Sequence, residues 1–252
     1  MSNRRVEQVM GMPLTVHVVD SPVSMAVLDK VFDDFRVLDN TFSLFKPNSV
    51  LSRINRGELR PEDAGDLVGQ ALHLCRLYEA STNGHFSAWV GGRLDPSGLV
   101  KGWAIDRACS TLVASGFQDF FVDAGGDLQT RGLNEGGRPW RVGIRHPRLR
   151  DKVVRVISAR NLAVATSGTY EKGNHILDPR TGLQATEFVS LTVVGPDILQ
   201  ADVYATAAFA MGTDGLDFIE RAPGYEAYAI ARDPDNIGIW TSGFDSVCQP
   251  TG

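Results

Sequence analysis

Residues 95–106, Asp-Pro-Ser-Gly-Leu-Val-Lys-Gly-Trp-Ala-Ile-Asp, set a carboxylate, a turn and a lysine at one helix start. The Pro-Ser-Gly turn runs into the apolar-periodic series Leu99, Trp103, Ala104, Ala108 and Leu112, which reads as the opening of a helix. Lys101 is then expected in the first turn, where the helix dipole disfavours a cation. A bound anion would rationalise it, because free backbone N–H groups converge on that spot. With Asp95 just upstream, the segment reads as a site for a polyanionic ligand.

Three further groupings could carry chemistry. Asp202 and Thr206 stand at i, i+4, so on a helix they share a face and offer a carboxylate and a hydroxyl about one turn apart. Such hard oxygen donors suit Mg²⁺, which keeps waters and is commonly completed by phosphate oxygens. On spacing alone, an N-terminal aspartate and a threonine bonded to its own helix is the stronger reading. Thr166-Ser-Gly-Thr-Tyr170 precedes His175-Ile-Leu-Asp-Pro-Arg-Thr-Gly182, whose Asp178-Pro-Arg-Thr-Gly is a turn signal. His175 there could orient a ligand or act as a general base, although a lone histidine is more often structural. Asp123-Ala-Gly-Gly-Asp127 permits either a close backbone approach or a plain turn between strands. GxGxxG, P-loop, zinc-spaced His/Cys and GxSxG patterns are all missing from the chain.

These residues need positioning elements. Residues 5–20 read as a strand or hairpin, 23–38 as a helix, 49–55 as a short helix, and Pro61 is expected to open a longer one ending near Asn83-Gly84. The helix at 99–115 leads into a β-like run at 117–122. Further strands are expected at 140–144, 153–158, 162–166 and 188–194, with helices from Asp197 or Gln200 through Met211 and over 215–221. A hairpin over 225–231 and 237–241 closes the series. Helices gather in the first half and strands in the second, which points to α+β with mixed or antiparallel sheets, as one domain over residues 1–252.

Composition narrows the partners. A hydrophobic fraction of 43% supports a real core, and a net charge of −5 without a Lys/Arg run argues against nucleic acid. Any polyphosphate must therefore be held by a local site. Three separated cysteines, Cys75, Cys109 and Cys248, carry no CxxC and require no oxidising compartment. No leader or membrane-length apolar run is visible, so a cytoplasmic protein without membrane insertion is expected.

Taken in order, these segments resemble the ApbE family of FAD:protein FMN transferases. The likeness starts at Met10-Gly11 and continues through Phe42-Ser-Leu-Phe-Lys-Pro-Asn-Ser-Val-Leu-Ser-Arg-Ile-Asn55 and Asn83-Gly-His-Phe86. It takes in Asp95…Lys101-Gly…Asp106, Asp123–Asp127, Thr166–Tyr170, His175…Gly182 and Ala201-Asp-Val-Tyr-Ala-Thr206. The resemblance implies an ApbE-like, T-fold-like protein with FAD in a cleft and Mg²⁺ on its pyrophosphate. It makes Asp202, Thr206 and the Gly98 carbonyl the metal ligands. Met10, Phe45, His85, Phe86, Ser87, Asp95, Lys101 and His175 become cofactor contacts, with Ser167 and Tyr170 nearby.

The implied reaction moves the FMN part of FAD to a Ser or Thr hydroxyl of an acceptor flavoprotein and releases AMP. His175 is the expected base and Asp202 the essential carboxylate. Hydrolysis of FAD to FMN and AMP, or flavin storage without catalysis, are the competing expectations. Two departures stand out. Ser87 replaces the aspartate common after Phe86, and Phe45 replaces a frequent tyrosine, losing a hydroxyl but keeping a ring.

Overall fold

The chain enters its main sheet through a two-residue turn, Met10-Gly11, in which both residues have positive φ, 55° and 73°. That geometry matches the right-handed twist of the strands on either side, β1 (Arg4–Val9) and β2 (Met12–Val18), which pair antiparallel. Glycine adopts such a φ freely, whereas methionine does so at a cost in energy. The computed structural model describes residues 3–20, 23–146, 149, 152–169, 176–233 and 238–249.

Helix α1 (Met25–Phe42) starts at Ser24, whose side chain accepts from the Val27 N–H, and buries Leu28, Val31, Phe32, Phe35, Leu38 and Phe42 along one stripe. Helix α2 (Val50–Asn55) is capped by Ser49 in the same way. Pro61 does not open the long helix. It forms a 3-10 turn, Pro61–Asp63, and Gly65 at φ 89° redirects the chain before α3 (Asp66–Ser81). Two short strands, β3 (Trp89–Val90) and β4 (Arg93–Leu94), then lead into α4 (Ser97–Ala114).

The remaining elements are β5 (Phe120–Ala124), β6 (Asp127–Arg131), β7 (Trp140–Arg145), β8 (Val153–Ala159), β9 (Ala163–Gly168) and β10 (Phe188–Gly195). Helices α5 (Ile198–Met211) and α6 (Asp214–Glu220) follow, then β11 (Glu226–Ala231), β12 (Ile239–Trp240) and a 3-10 turn at Phe244–Val247. Ile237 of the expected closing hairpin lies outside the described residues, but β11 and β12 do pair antiparallel.

The architecture is α+β, as the element order suggests. Eight strands form one antiparallel sheet in the order β1-β2-β5-β6-β9-β10-β11-β12, and β7-β8 form a separate hairpin. Side chains alternate across the sheet, with a break at the Phe188–Ser190 bulge of β10. Ala163, Ala165, Val193, Ala227 and Ala229 join the large core beneath the helices. Val164, Val194, Tyr228 and Ile230 join a second core beneath the β7–β8 hairpin. Strand β6 was not legible as a strand: its sequence Asp-Leu-Gln-Thr-Arg is polar, yet its first four residues are buried. Among the described residues no helix is long and apolar enough to cross a membrane.

Candidate functional site

Helices α4 and α5 meet at Gly102. A Cβ there would lie 2.8 Å from the Asp202 Cβ and 2.8 Å from the Ile198 carbonyl oxygen, so only glycine allows this approach. The Gly102 N–H donates to Asp202 Oδ2 at 2.8 Å, and Lys101 Nζ lies 3.5 Å from Asp202 Oδ1. The lysine also forms an ion pair with Asp127, at the start of β6. The other Asp127 oxygen, Oδ1, accepts the Thr166 N–H at 2.9 Å.

This geometry corrects the dipole argument for Lys101. The residue is the fifth of α4, past the first turn, and two carboxylates account for its charge without a bound anion. Burial pulls the Lys101 ammonium down, but Asp127 and then Asp202 outweigh that and hold it above the ordinary lysine value. Burial pushes the Asp202 carboxyl up to about 7, with Lys101 opposing and Asp127 reinforcing the rise. Two carboxylates around one ammonium leave Asp202 short of a cation.

That shortage is the test of fit for a metal. Thr206, one turn after Asp202, places its Oγ1 3.3 Å from Ser167 Oγ on β9. A Cβ at Gly98 would lie 3.2 Å from Thr206 Oγ1 and 3.3 Å from the Phe86 ring, so the Gly98 main chain sits against the Thr206 hydroxyl. Among the described residues no three His, Cys, Asp or Glu side chains gather into a metal group. One carboxylate, a hydroxyl and a carbonyl are a lean oxygen set, which fits a Mg²⁺ that also takes water and phosphate oxygens.

Around this junction opens a cleft of about 560 Å³. Met10, Phe45, His85, Phe86, Ser87, Asp95, Gly98, Lys101, Asp202 and Thr206 all line it, and Ser167 with them. His175 and Tyr170 lie outside the described residues. The supports are local. Asp95 Oδ1 accepts the Ser97 N–H at 3.0 Å, tying the loop to the start of α4. Ser87 is buried, and its Oγ accepts the Trp89 N–H at 3.1 Å, so this hydroxyl braces its own turn. His85 sits 3.2 Å from Asp178 through Nδ1 and 2.8 Å from Arg180 through Nε2, joining two sides of the cleft. Phe45 stands at the mouth, 91% exposed.

Two residues named in the sequence reading, Asp127 and Asn55, build the site through partners that the sequence did not reveal. Asp127 looked like the end of a turn, and its partnership with Lys101 is a long-range contact that spacing does not encode. Asn55 pairs with Leu94 in both directions, Nδ2 to O at 2.8 Å and N to Oδ1 at 2.9 Å, and thereby holds the strand that precedes Asp95. Its signal was only its place at the end of the Ser-Arg-Ile-Asn run.

The sheet order, helical layer and cleft define a class, the α+β fold of solved flavin transferases. The flavin transferase ApbE from Vibrio cholerae shares it with a TM-score of 0.81 at 21% identity, covering 97% of this chain and 98% of that one. An ApbE protein from Thermotoga maritima gives 0.84 at 22% identity, covering 99% and 100%. The chain itself belongs to the ApbE family, whose model matches residues 90–229. It is 30% identical over 159 residues to the FAD:protein FMN transferase of Klebsiella pneumoniae, and 34% identical over 159 residues to that of Vibrio cholerae. Each match covers 59% of this chain but only 45% and 48% of those relatives, so the similarity spans about half their length.

Proposed function

We propose that this chain, acting as one unit, is a Mg²⁺-dependent FAD:protein FMN transferase. The observation that carries the reading is the convergence of Met10, Phe45, His85, Phe86, Ser87, Asp95, Gly98, Lys101, Asp202 and Thr206 on a single cleft at the α4–α5 junction. The family match includes Asp95, Lys101, Asp127, Asp202 and Thr206 but not Met10, Phe45 or His85–Ser87, for which cleft geometry is the support.

In this reading a Ser or Thr hydroxyl oxygen of an acceptor protein bonds to the FMN-side phosphorus of FAD. The bridging P–O bond breaks, AMP leaves with the bridging oxygen, and the hydroxyl proton passes to a base. His175 is our candidate for that base, carried over from the family resemblance. Asp202, Thr206 and the Gly98 carbonyl would hold Mg²⁺, which would supply Lewis-acid stabilisation of pyrophosphate charge. Lys101, fixed by Asp127, adds a positive charge at the same wall and needs no rearrangement when charge develops. Phe45 supplies ring surface for the flavin nucleotide, Phe86 packs buried against Gly98, and Asp95 fixes the loop that carries Gly98.

The test is incubation with FAD, Mg²⁺ and a bacterial protein extract, read by mass spectrometry and by AMP release. An FMN adduct on Ser or Thr that disappears in Asp202→Ala supports the assignment. AMP release with no protein adduct identifies a hydrolase instead, and full activity of Asp202→Ala removes the metal assignment.

A further inference from the structure

Residues 176–185 fold back on themselves as a short strap beside the flavin cleft. The Ala185 N–H donates to the Ile176 carbonyl at 3.1 Å, Leu177 bridges to Gln184, and the Asp178 N–H donates to the Leu183 carbonyl at 2.9 Å. At the tip, Asp178 Oδ1 accepts the Arg180 N–H at 3.1 Å, and the Asp178 carbonyl accepts the Gly182 N–H at 2.8 Å. All of these bonds are internal to the strap. Ile176, Leu177 and Pro179 line the cleft, and Ile176 and Ala185 pack against the main core at the base. Residues 180–183, at the tip, are exposed.

The facing rim of the cleft is the turn that closes α3. Thr82 Oγ1 donates to the Tyr78 carbonyl at 2.7 Å and accepts the Phe86 N–H at 3.2 Å, while the Gly84 N–H donates to the Glu79 carbonyl at 2.8 Å. His85 is thereby carried on a well-tied main chain. The Arg180 stem lies over Gly84, its Cγ 3.5 Å from where a Cβ would stand, and Arg180 Nη1 reaches His85 Nε2 at 2.8 Å. A guanidinium only donates, so Nε2 must supply a lone pair and the ring proton sits on Nδ1. That nitrogen is buried and lies 3.2 Å from Asp178 Oδ1. Both ring nitrogens are turned to the strap.

We propose that His85, Arg180 and Asp178 form a latch that holds the strap as a preformed wall of the flavin cleft. They are positioning residues, and His85 acts on FAD through the strap rather than through its ring nitrogens. This rests on the reading of the cleft as an FAD site. Arg180 is the telling residue, because it does not line the cleft and yet spans from the strap to the opposite rim. An isolated two-stranded hairpin is marginally stable in water, and the exposed tip of this one has little burial to hold it. Without the latch, FAD binding would carry the entropy cost of ordering the strap.

The test combines hydrogen exchange of the FAD-free protein with FAD titration in Mg²⁺, read by flavin fluorescence. Arg180→Met keeps an apolar stem over Gly84 and removes only the charged end. Arg180→Met and His85→Ala are expected to exchange at least about tenfold faster over residues 176–185. In each, the dissociation constant for FAD should rise at least about fivefold, and the double variant should be no worse, because the latch acts as one unit. His85→Gln keeps an acceptor for Arg180 and should stay within about twofold of wild type in both measurements. Unchanged exchange in Arg180→Met overturns the latch whatever happens to FAD. Faster exchange with unchanged FAD affinity overturns the preformed wall. Additive losses, or a His85→Gln as weak as His85→Ala, put His85 on FAD directly and overturn the positioning role. Wild-type protein that binds no FAD fells the transferase reading and that role together, while the exchange result still decides the latch.

Discussion

The Gly102 N–H donates to Asp202 Oδ2 at 2.8 Å, across a helix contact so close that a Cβ on Gly102 would sit 2.8 Å from the Asp202 Cβ. The same Cβ would meet the Ile198 carbonyl oxygen at 2.8 Å and Leu199 Cα at 3.0 Å, which are main-chain atoms unable to swing aside. Gly102→Ala must therefore move α5 away from α4. We expect a loss of about 1–3 kcal/mol in urea unfolding, the usual scale of overpacking. FMN transfer should fall at least tenfold, because Asp202 and Thr206 move with α5 while Gly98 stays on α4. Unchanged transfer would mean that the helix spacing does not set the metal site.

Asp202→Asn separates stability from function. In the wild type, burial raises the Asp202 carboxyl to about 7, so it is neutral below that pH and carries a poorly solvated charge above it. The folded form holds this proton more tightly than the unfolded chain, and the associated stability is lost as pH rises through about 7. Asparagine has no such charge and still accepts from Gly102. In metal-free protein the variant should melt several degrees above wild type at pH 8, with the gap narrower at pH 5 and closing only near the ordinary carboxylate value, about pH 4. Its Mg²⁺-dependent transfer should fall by two orders of magnitude or more. Melting scans at the two pH values check the first claim, and a gap that does not depend on pH would refute it.

Lys101 balances two carboxylates, and removing it leaves Asp127 and Asp202 facing each other in a buried setting. Breaking a buried pair typically costs about 3–5 kcal/mol. Lys101 is 27% exposed, so the lower end of that range, or less, is expected for Lys101→Met. Asp127→Asn in the same chain should recover part of the loss, since one uncompensated charge disappears. Transfer should not recover, because no cation remains at the wall. A double-mutant cycle in urea measures the coupling, and strictly additive effects would show that the pair is not coupled.

Legibility differed by kind of interaction. Helices α1, α4 and α5 were readable because each shows an apolar period or a cap signal within its own residues, as in Ser24 for α1 and Asp197 for α5. Strand β6 was hidden because its burial comes from neighbours on both faces while its residues are polar. Pro61 suits both an α-helix start and a 3-10 turn, and Gly65 decides between them at φ 89°. The site was legible as a set of residues through the order of motifs, not through spacing. Neither the Lys101–Asp127 ion pair nor the Asn55–Leu94 clamp has a local signature, because their partners are 26 and 39 residues apart. The dipole argument for Lys101 reached a residue of the cleft by a cause that the folded chain does not use.

Phe45 offers the sharpest separation of binding from chemistry. Its side chain is 91% exposed, and its backbone is held independently, the N–H donating to Ser43 Oγ at 3.3 Å. Little packs on the ring, so Phe45→Ala should leave the melting temperature within a degree of wild type. If the ring covers the flavin nucleotide at the cleft mouth, its loss removes a stacking contribution of about 0.5–1.5 kcal/mol. That corresponds to a rise of about twofold to tenfold in KM for FAD. The contact is remote from the phosphorus and equal in ground and transition states, so kcat should hold. Phe45→Tyr and Phe45→Trp keep a ring and should restore KM, whereas Phe45→Leu should restore it only in part. Steady-state AMP release over a range of FAD concentrations checks the split, and a drop in kcat with unchanged KM would place Phe45 outside the binding role assigned to it.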